Sequence, residues 1–145
     1  MIQRIQSIFL LLAAVCSFLL FQFPFATDET VQSSAILNDG VYNLHDNIAM
    51  LVLFALAGVL ALGALVSFKN RKNQSLIARL AFVANLIGMV LVVALFFNDP
   101  AFQSESAPDD GIGAYLPTGA MILIGLALYF INKDEKLVKS MDRLR

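Results

Sequence analysis

The stretch 48-IAMLVLFALAGVLALGALVSFKNRK-72 decides the fold. Its first 21 residues, 48–68, carry no charge at all. At about 1.5 Å per residue they form a helix of roughly 30 Å, enough to cross the hydrocarbon core of a bilayer. Lys69, Arg71 and Lys72 follow at once, and cationic loops stay on the cytoplasmic side during insertion. The segment therefore reads as a transmembrane helix whose C-terminal end faces the cytoplasm.

Three further apolar stretches flank it, at about 7–26, 76–97 and 112–131. The charges sort by side. Arg4 precedes the first stretch, Arg79 joins the Lys69–Lys72 group, and Lys133, Lys136, Lys139, Arg143 and Arg145 follow the last. The intervening loops hold Asp28, Glu29, Asp39, Asp46, Asp99, Glu105, Asp109 and Asp110, and no cation. Only Asp134, Glu135 and Asp142 share the basic side, so its ten cations leave a balance of +7 against −8 for the acidic loops. This is positive-inside sorting with both termini cytoplasmic. Arg79 alone falls inside a span, one turn from its cytoplasmic end, where a long side chain snorkels to the headgroups. The expected fold is all-α: a polytopic membrane protein with one domain, 1–145, of four transmembrane helices. Residues 132–145 add a cytoplasmic amphipathic tail.

Composition agrees. Hydrophobic residues make up 59% of the chain and charged ones 14%, against about 45–50% and 25% for soluble domains. The single Cys16 excludes an internal disulfide and a multi-thiolate metal site. The single His45 excludes bis-histidine haem ligation within one subunit. No cofactor is expected. There is no Trp, so interfacial anchoring falls to Tyr42, Tyr115, Tyr129 and some of the twelve Phe residues.

Local signals set the helix ends. Asp46 and Asn47 stand where the second helix needs an N-cap. Asp109 and Asp110 precede the fourth, with Pro117 near its first turn. Asn98-Asp99-Pro100 stops the third, and Pro24 bends or ends the first. Pro24 also sits where signal-peptide cleavage wants a small residue, so an uncleaved helix is expected. In the first exported loop, Val31–Leu37 and Val41–Leu44 flank Asn38-Asp39-Gly40, which suggests a small β-hairpin. The second exported loop reads as irregular.

Candidate chemistry is sparse. Within the spans the polar side chains are Cys16, Ser17, Gln22, Ser67, Asn85 and Thr118. Asn85, near the midplane, could lie on a substrate or ion path, but an interhelical hydrogen bond explains it better because no second midplane polar group accompanies it. Ala57, Ala61 and Ala64 line one side of the second helix, beside the small pair Gly63 and Ser67. Ala81, Ala84 and Gly88 do the same on the third. These faces suit packing of the two helices as a hairpin, with a partner protein as the alternative occupant. Paired acids such as Asp109-Asp110 lack the spacing of a calcium loop and read as a solvated face. His45-Asp46 has no nucleophile beside it. After Ile131, Leu137, Met141 and Leu144 recur at helical spacing, and Glu135 precedes Lys139 by four residues. The fourth helix either projects into the cytoplasm or ends in a short helix lying on the membrane.

The opening Met1-Ile2-Gln3-Arg4-Ile5-Gln6-Ser7 leads into Leu-Leu-Leu-Ala-Ala. The ending runs Lys133-Asp134-Glu135-Lys136-Leu137-Val138-Lys139-Ser140-Met141-Asp142-Arg143-Leu144-Arg145. Together they resemble the domain-of-unknown-function family 4293, small four-span membrane proteins of the Bacteroidota. The resemblance covers the whole chain and implies an inner-membrane location in a Gram-negative cell. It carries no activity and no catalytic residues. The functional expectation is an accessory or scaffold subunit of a larger envelope complex, with the lipid bilayer and other membrane subunits as partners and no nucleic acid. A small oligomeric transporter or channel is the alternative, and an enzyme is not expected.

Overall fold

A computed structural model describes residues 2–27, 40–98 and 109–142. Four helices carry the fold: α1 (Ile2–Leu19), α2 (Ile48–Val66), α3 (Arg71–Asn98) and α4 (Leu116–Asp142). Three two-residue strands, β1 (Ala26–Thr27), β2 (Val41–Tyr42) and β3 (Asp109–Asp110), sit at one end. Three apolar segments, Ile48–Lys69, Arg71–Asn98 and Ile112–Val138, are long and apolar enough to cross a membrane. The first is shorter, with its apolar helical run at Ile5–Leu19.

The boundaries follow from capping. Asn47 opens α2, its Oδ1 accepting the amide N–H of Ala49 at 2.9 Å. Asp46, the neighbouring candidate, has a contact on its other side. Its carboxylate accepts the Asn43 N–H and closes the short 3-10 turn Leu44–Asp46. After α2 the chain tightens into a 3-10 turn, Ser67–Lys69, and Asn70 alone separates it from α3. The side-chain oxygen of Asn70 accepts the Asn73 N–H and its carbonyl accepts that of Gln74, so the polar segment 71–75 is already helical. Asp109 and Asp110 do not cap the fourth helix as expected. They form β3, and a 3-10 turn at Ile112–Ala114 intervenes before α4. Pro117 does lie in the first turn of α4, where its missing N–H is not needed. At the far end α4 runs unbroken to Asp142, so the tail begins as a continuation of the fourth helix.

The helices form a square. α1 packs against α2 and α4, α3 packs against the same two, and α1 and α3 lie across the diagonal. Three buried layers fill the interior. The layer at the basic end joins Leu10, Ala64, Ala78, Ala127 and Ile131. The middle layer joins Ala13, Ala14, Ala61, Ala81 and Ile124, none more than 1% exposed. The third is aromatic, built from Leu20, Phe25, Tyr42, Leu44, Met50 and Phe54. Alanine at the contacts lets backbones approach closely. The large apolar side chains point the other way: Ile8 and Leu11 on α1, Val59 and Val66 on α2, Ile87 and Val90 on α3, Ile122 on α4 are all exposed. Small residues inside and bulky aliphatic ones outside reverse the pattern of a water-soluble bundle.

The first helix ends at Leu19, seven residues short of the expected limit at Ala26. Turn hydrogen bonds from the N–H groups of Phe21, Gln22 and Phe23 to the carbonyls of Phe18 and Leu19 close it, and Pro24 disfavours helix at the residue before it. The freed backbone then joins a cap. β1 is central in a three-stranded antiparallel sheet of order β2-β1-β3, with Ala26 opposite both Tyr42 and Asp110. Phe25 N–H donates to Tyr42 O, Gly111 N–H to Phe25 O, and Gly113 N–H to Pro24 O, each within 2.9 Å. Of the expected hairpin, Val41–Tyr42 is a strand and Gly40 has the positive φ (74°) of a turn glycine. Its partner is Ala26–Thr27, whereas Val31–Leu37 lie outside the described residues. The loop read as irregular likewise contributes β3, while its residues 99–108 lie outside the description.

Candidate functional site

Asn85 is fully buried on α3, and its Nδ2 donates to the carbonyl of Pro117 on α4 at 2.8 Å. Its Oδ1 has no hydrogen-bond partner among the described residues. One turn on, Thr118 Oγ1 lies 3.8 Å from Met89 Sδ. These contacts hold the first turn of α4 level with the middle of α3. α3 therefore continues for 13 residues, about 20 Å, beyond the start of α4. The β-sheet cap fills that step. Its aromatic core rests on the far half of α3 through Leu91, Val92, Leu95 and Phe96. A cavity of about 330 Å³ remains between them, with Met89, Val93 and Phe97 on one side and Asp110, Ala114 and Thr118 on the other.

Two glycines make the cap possible. A Cβ at Gly111 would come within 2.2 Å of the Pro24 carbonyl oxygen, and one at Gly113 within 2.5 Å of it. Backbone meets backbone there, so nothing can yield. Tyr42, expected as an interfacial anchor, is instead wholly buried in the cap, with its ring 5.5 Å from that of Phe25 and its hydroxyl 3.4 Å from Met50 Sδ. Tyr115 and Tyr129 are exposed, at 66% and 62%.

At the opposite end a polar cluster lies among the helices. Arg71 Nη1 donates to the Asp134 carbonyl at 3.0 Å, and its Nη2 lies 3.7 Å from the carboxylate of the same residue. Ser75 Oγ and Asn132 Oδ1 are 3.4 Å apart, again joining α3 to α4. Gln6 and Gln74 are buried as well, and the Gln6 amide nitrogen has no hydrogen-bond partner among the described residues. None of Gln6, Arg71, Gln74 or Asp134 is singled out by composition or motif. Their signal is periodicity continued past the apolar limit: Ile124, Ala127, Ile131 and Asp134 step by three and four, as do Gln6, Leu10, Ala13, Ser17 and Leu20.

The small residues of α2 and α3 take varied places. Ala57, Ala61 and Ala64 are fully buried, and Ala61 meets α1, α3 and α4 in the middle layer rather than α3 alone. Ala84 is buried, and Gly88 lies under the Phe54 ring, which a Cβ would approach to 3.0 Å. Gly63 is half-buried facing Ile77 of α3, while Ser67 has left the α-helix for the 3-10 turn. Leu137 is 47% exposed on the α4 extension. Met141 lies in its last turn, and the Met141 side chain and Leu144 are outside the described residues.

The remaining candidates are dispersed. His45 is exposed with its ring edge-on to Phe21, and its neighbour Asp46 serves the 3-10 turn. Asp110 accepts from the Tyr115 hydroxyl at 3.3 Å. Asp28, Glu29 and Asp39 lie outside the described residues, and among those described no three His, Cys, Asp or Glu side chains gather as a metal site.

Comparison with known families gives one match, to the domain of unknown function DUF4293, over residues 2–144. The chain belongs to the DUF4293 family. No curated protein and no solved structure matches it. DUF4293 membership covers all four helices, the cap and the extension of α4 as one unit, and it assigns no role to any residue.

Proposed function

We propose that this DUF4293 protein is an inner-membrane protein with both termini in the cytoplasm, acting as an accessory or scaffold subunit of a larger envelope complex. The observation that carries this reading is the middle layer. Four helices meet there through alanine and one isoleucine, all essentially inaccessible, which leaves a dry, closed centre with no room for a water-filled path through one copy. Two polar contacts serve as joints between helices: buried Asn85 holds α4 to α3, and Arg71 holds buried Asp134. What remains for contact with other molecules is the acidic cap at one end and the charged α4 extension at the other. Charge sorting supports a cytoplasmic position for the second of these. The test is extraction of the native protein in a gentle detergent, followed by mass spectrometry of what co-purifies. A reproducible set of membrane subunits in fixed ratio is the expected result. Recovery of the chain alone, with solute flux on reconstitution into liposomes, would favour a small oligomeric channel instead.

A further inference from the structure

Beside the Arg71–Asp134 pair, the basic half of α3 and Glu135 of α4 bound an open groove of about 380 Å³. Lys72, Ser75 and Arg79 of α3 and Glu135 of α4 line its polar part, and Leu76, Leu80 and Val83 continue it as an aliphatic wall. Positions 72, 76, 79, 80 and 83 form one stripe on α3. Long side chains on a helix lean toward its N-terminus. For α3 that end is the basic one, so the usual helical rotamers carry an Arg79 side chain toward the turn of Lys72. Arg71 is engaged by Asp134, whereas Lys72 and Arg79 form no ion pair among the described residues. Two cations outside any ion pair among the described residues thus stand at the mouth of a groove whose continuation is exposed aliphatic surface: Leu76 is 58% and Leu80 50% exposed.

We propose that this groove binds an anionic phospholipid of the phosphatidylglycerol type. The phosphodiester sits between Lys72 and Arg79, and one acyl chain lies along Leu76, Leu80 and Val83. Basic pockets between transmembrane helices on the cytoplasmic side are suited to anionic headgroups. The lining holds two cations and one carboxylate, Glu135, a small cationic excess that suits a headgroup with a single negative charge better than one with several. The inference rests on the reading of α3 as a membrane-spanning helix with its basic end in the cytoplasm.

The test uses the purified full chain in nanodiscs of phosphatidylcholine alone or mixed with phosphatidylglycerol, read by thermal unfolding and by retained lipid in native mass spectrometry. Phosphatidylglycerol should raise the unfolding midpoint of the parent and remain bound. Replacing both groove cations, Lys72→Gln with Arg79→Gln, should weaken retention roughly 30-fold, the product of two well-placed cations. The charge-keeping pair Lys72→Arg with Arg79→Lys should retain it, which separates loss of binding from loss of folding. Lys133→Gln with Lys136→Gln removes the same charge outside the groove and should retain it too. Inorganic phosphate should give no shift. Equal loss in both glutamine pairs, or equal effects of the two lipid mixtures, would overturn the site while leaving the membrane reading intact. Release of the chain from native membranes by alkaline carbonate would overturn both.

Discussion

The cap turns on two glycines, and the reason is space rather than backbone freedom, since neither Gly111 nor Gly113 has a positive φ. A methyl group at either position strikes the Pro24 carbonyl. Gly111→Ala or Gly113→Ala should therefore destabilise the protein by about 1–3 kcal/mol or more, through backbone displacement that overpacking forces. Gly119→Ala and Gly125→Ala, where nothing lies within 4 Å of the added carbon, should be neutral or stabilising by up to about 1 kcal/mol. Thermal unfolding in one detergent compares all four. Asn85 asks for a different substitution. Asn85→Leu loses the bond to Pro117 but also removes an unpartnered buried oxygen, so its cost should stay within about 2 kcal/mol. Abolished solute transport in a variant that remains folded would point to a conduction path instead. Asn85 was legible in the sequence because it is polar in an apolar run. Gln6 and Asp134 were not, because they lie where polarity is unremarkable and their burial depends on helices continuing beyond the apolar limit.

Among the elements, α4 joins the bundle to whatever lies beyond it. Arg71 grips Asp134 twice, once at the backbone and once at the side chain. Asp134→Asn keeps the backbone bond and loosens a long, partly exposed ion pair, so it should cost less than about 1 kcal/mol. Arg71→Leu removes both contacts and should cost more, about 1–3 kcal/mol, in the same unfolding assay. Past Asp134 the helix carries Leu137 outward. Leu137→Asp with Leu144→Asp should leave insertion unchanged and loosen the native complex in mild detergent, as should truncation after Lys136, which keeps Lys133 and Lys136 as topology signals. Unchanged co-purification in both would reduce the extension to a solvated end. Helix existence was plain from hydropathy, but helix limits were not. The polar turn 71–75 is helical because Asn70 caps it, and α1 stops early because Pro24 and the strand partners at Tyr42 and Gly111 compete for its backbone. Pairing of Ala26–Thr27 with residues distant in the chain leaves no local pattern to read.

At the scale of the whole molecule, three features point the same way: bulky apolar residues outward, alanine inward, and, among the described residues, the cations at one end or beside it. Together they are the marks of a membrane protein, and the charge sorting predicts one orientation for it. The cap, whose central strand β1 is paired on both sides, fills the step beyond the start of α4. Orientation is therefore the property to measure first. Topology reporters inserted at Asn73 and fused after Arg145 should be active only in the cytoplasm, and reporters at Ser34 and Ser106 only on the exported side. A Ser34 reporter found on the cytoplasmic face would contradict the charge sorting, the placement of the cap and the assignment of the basic end alike.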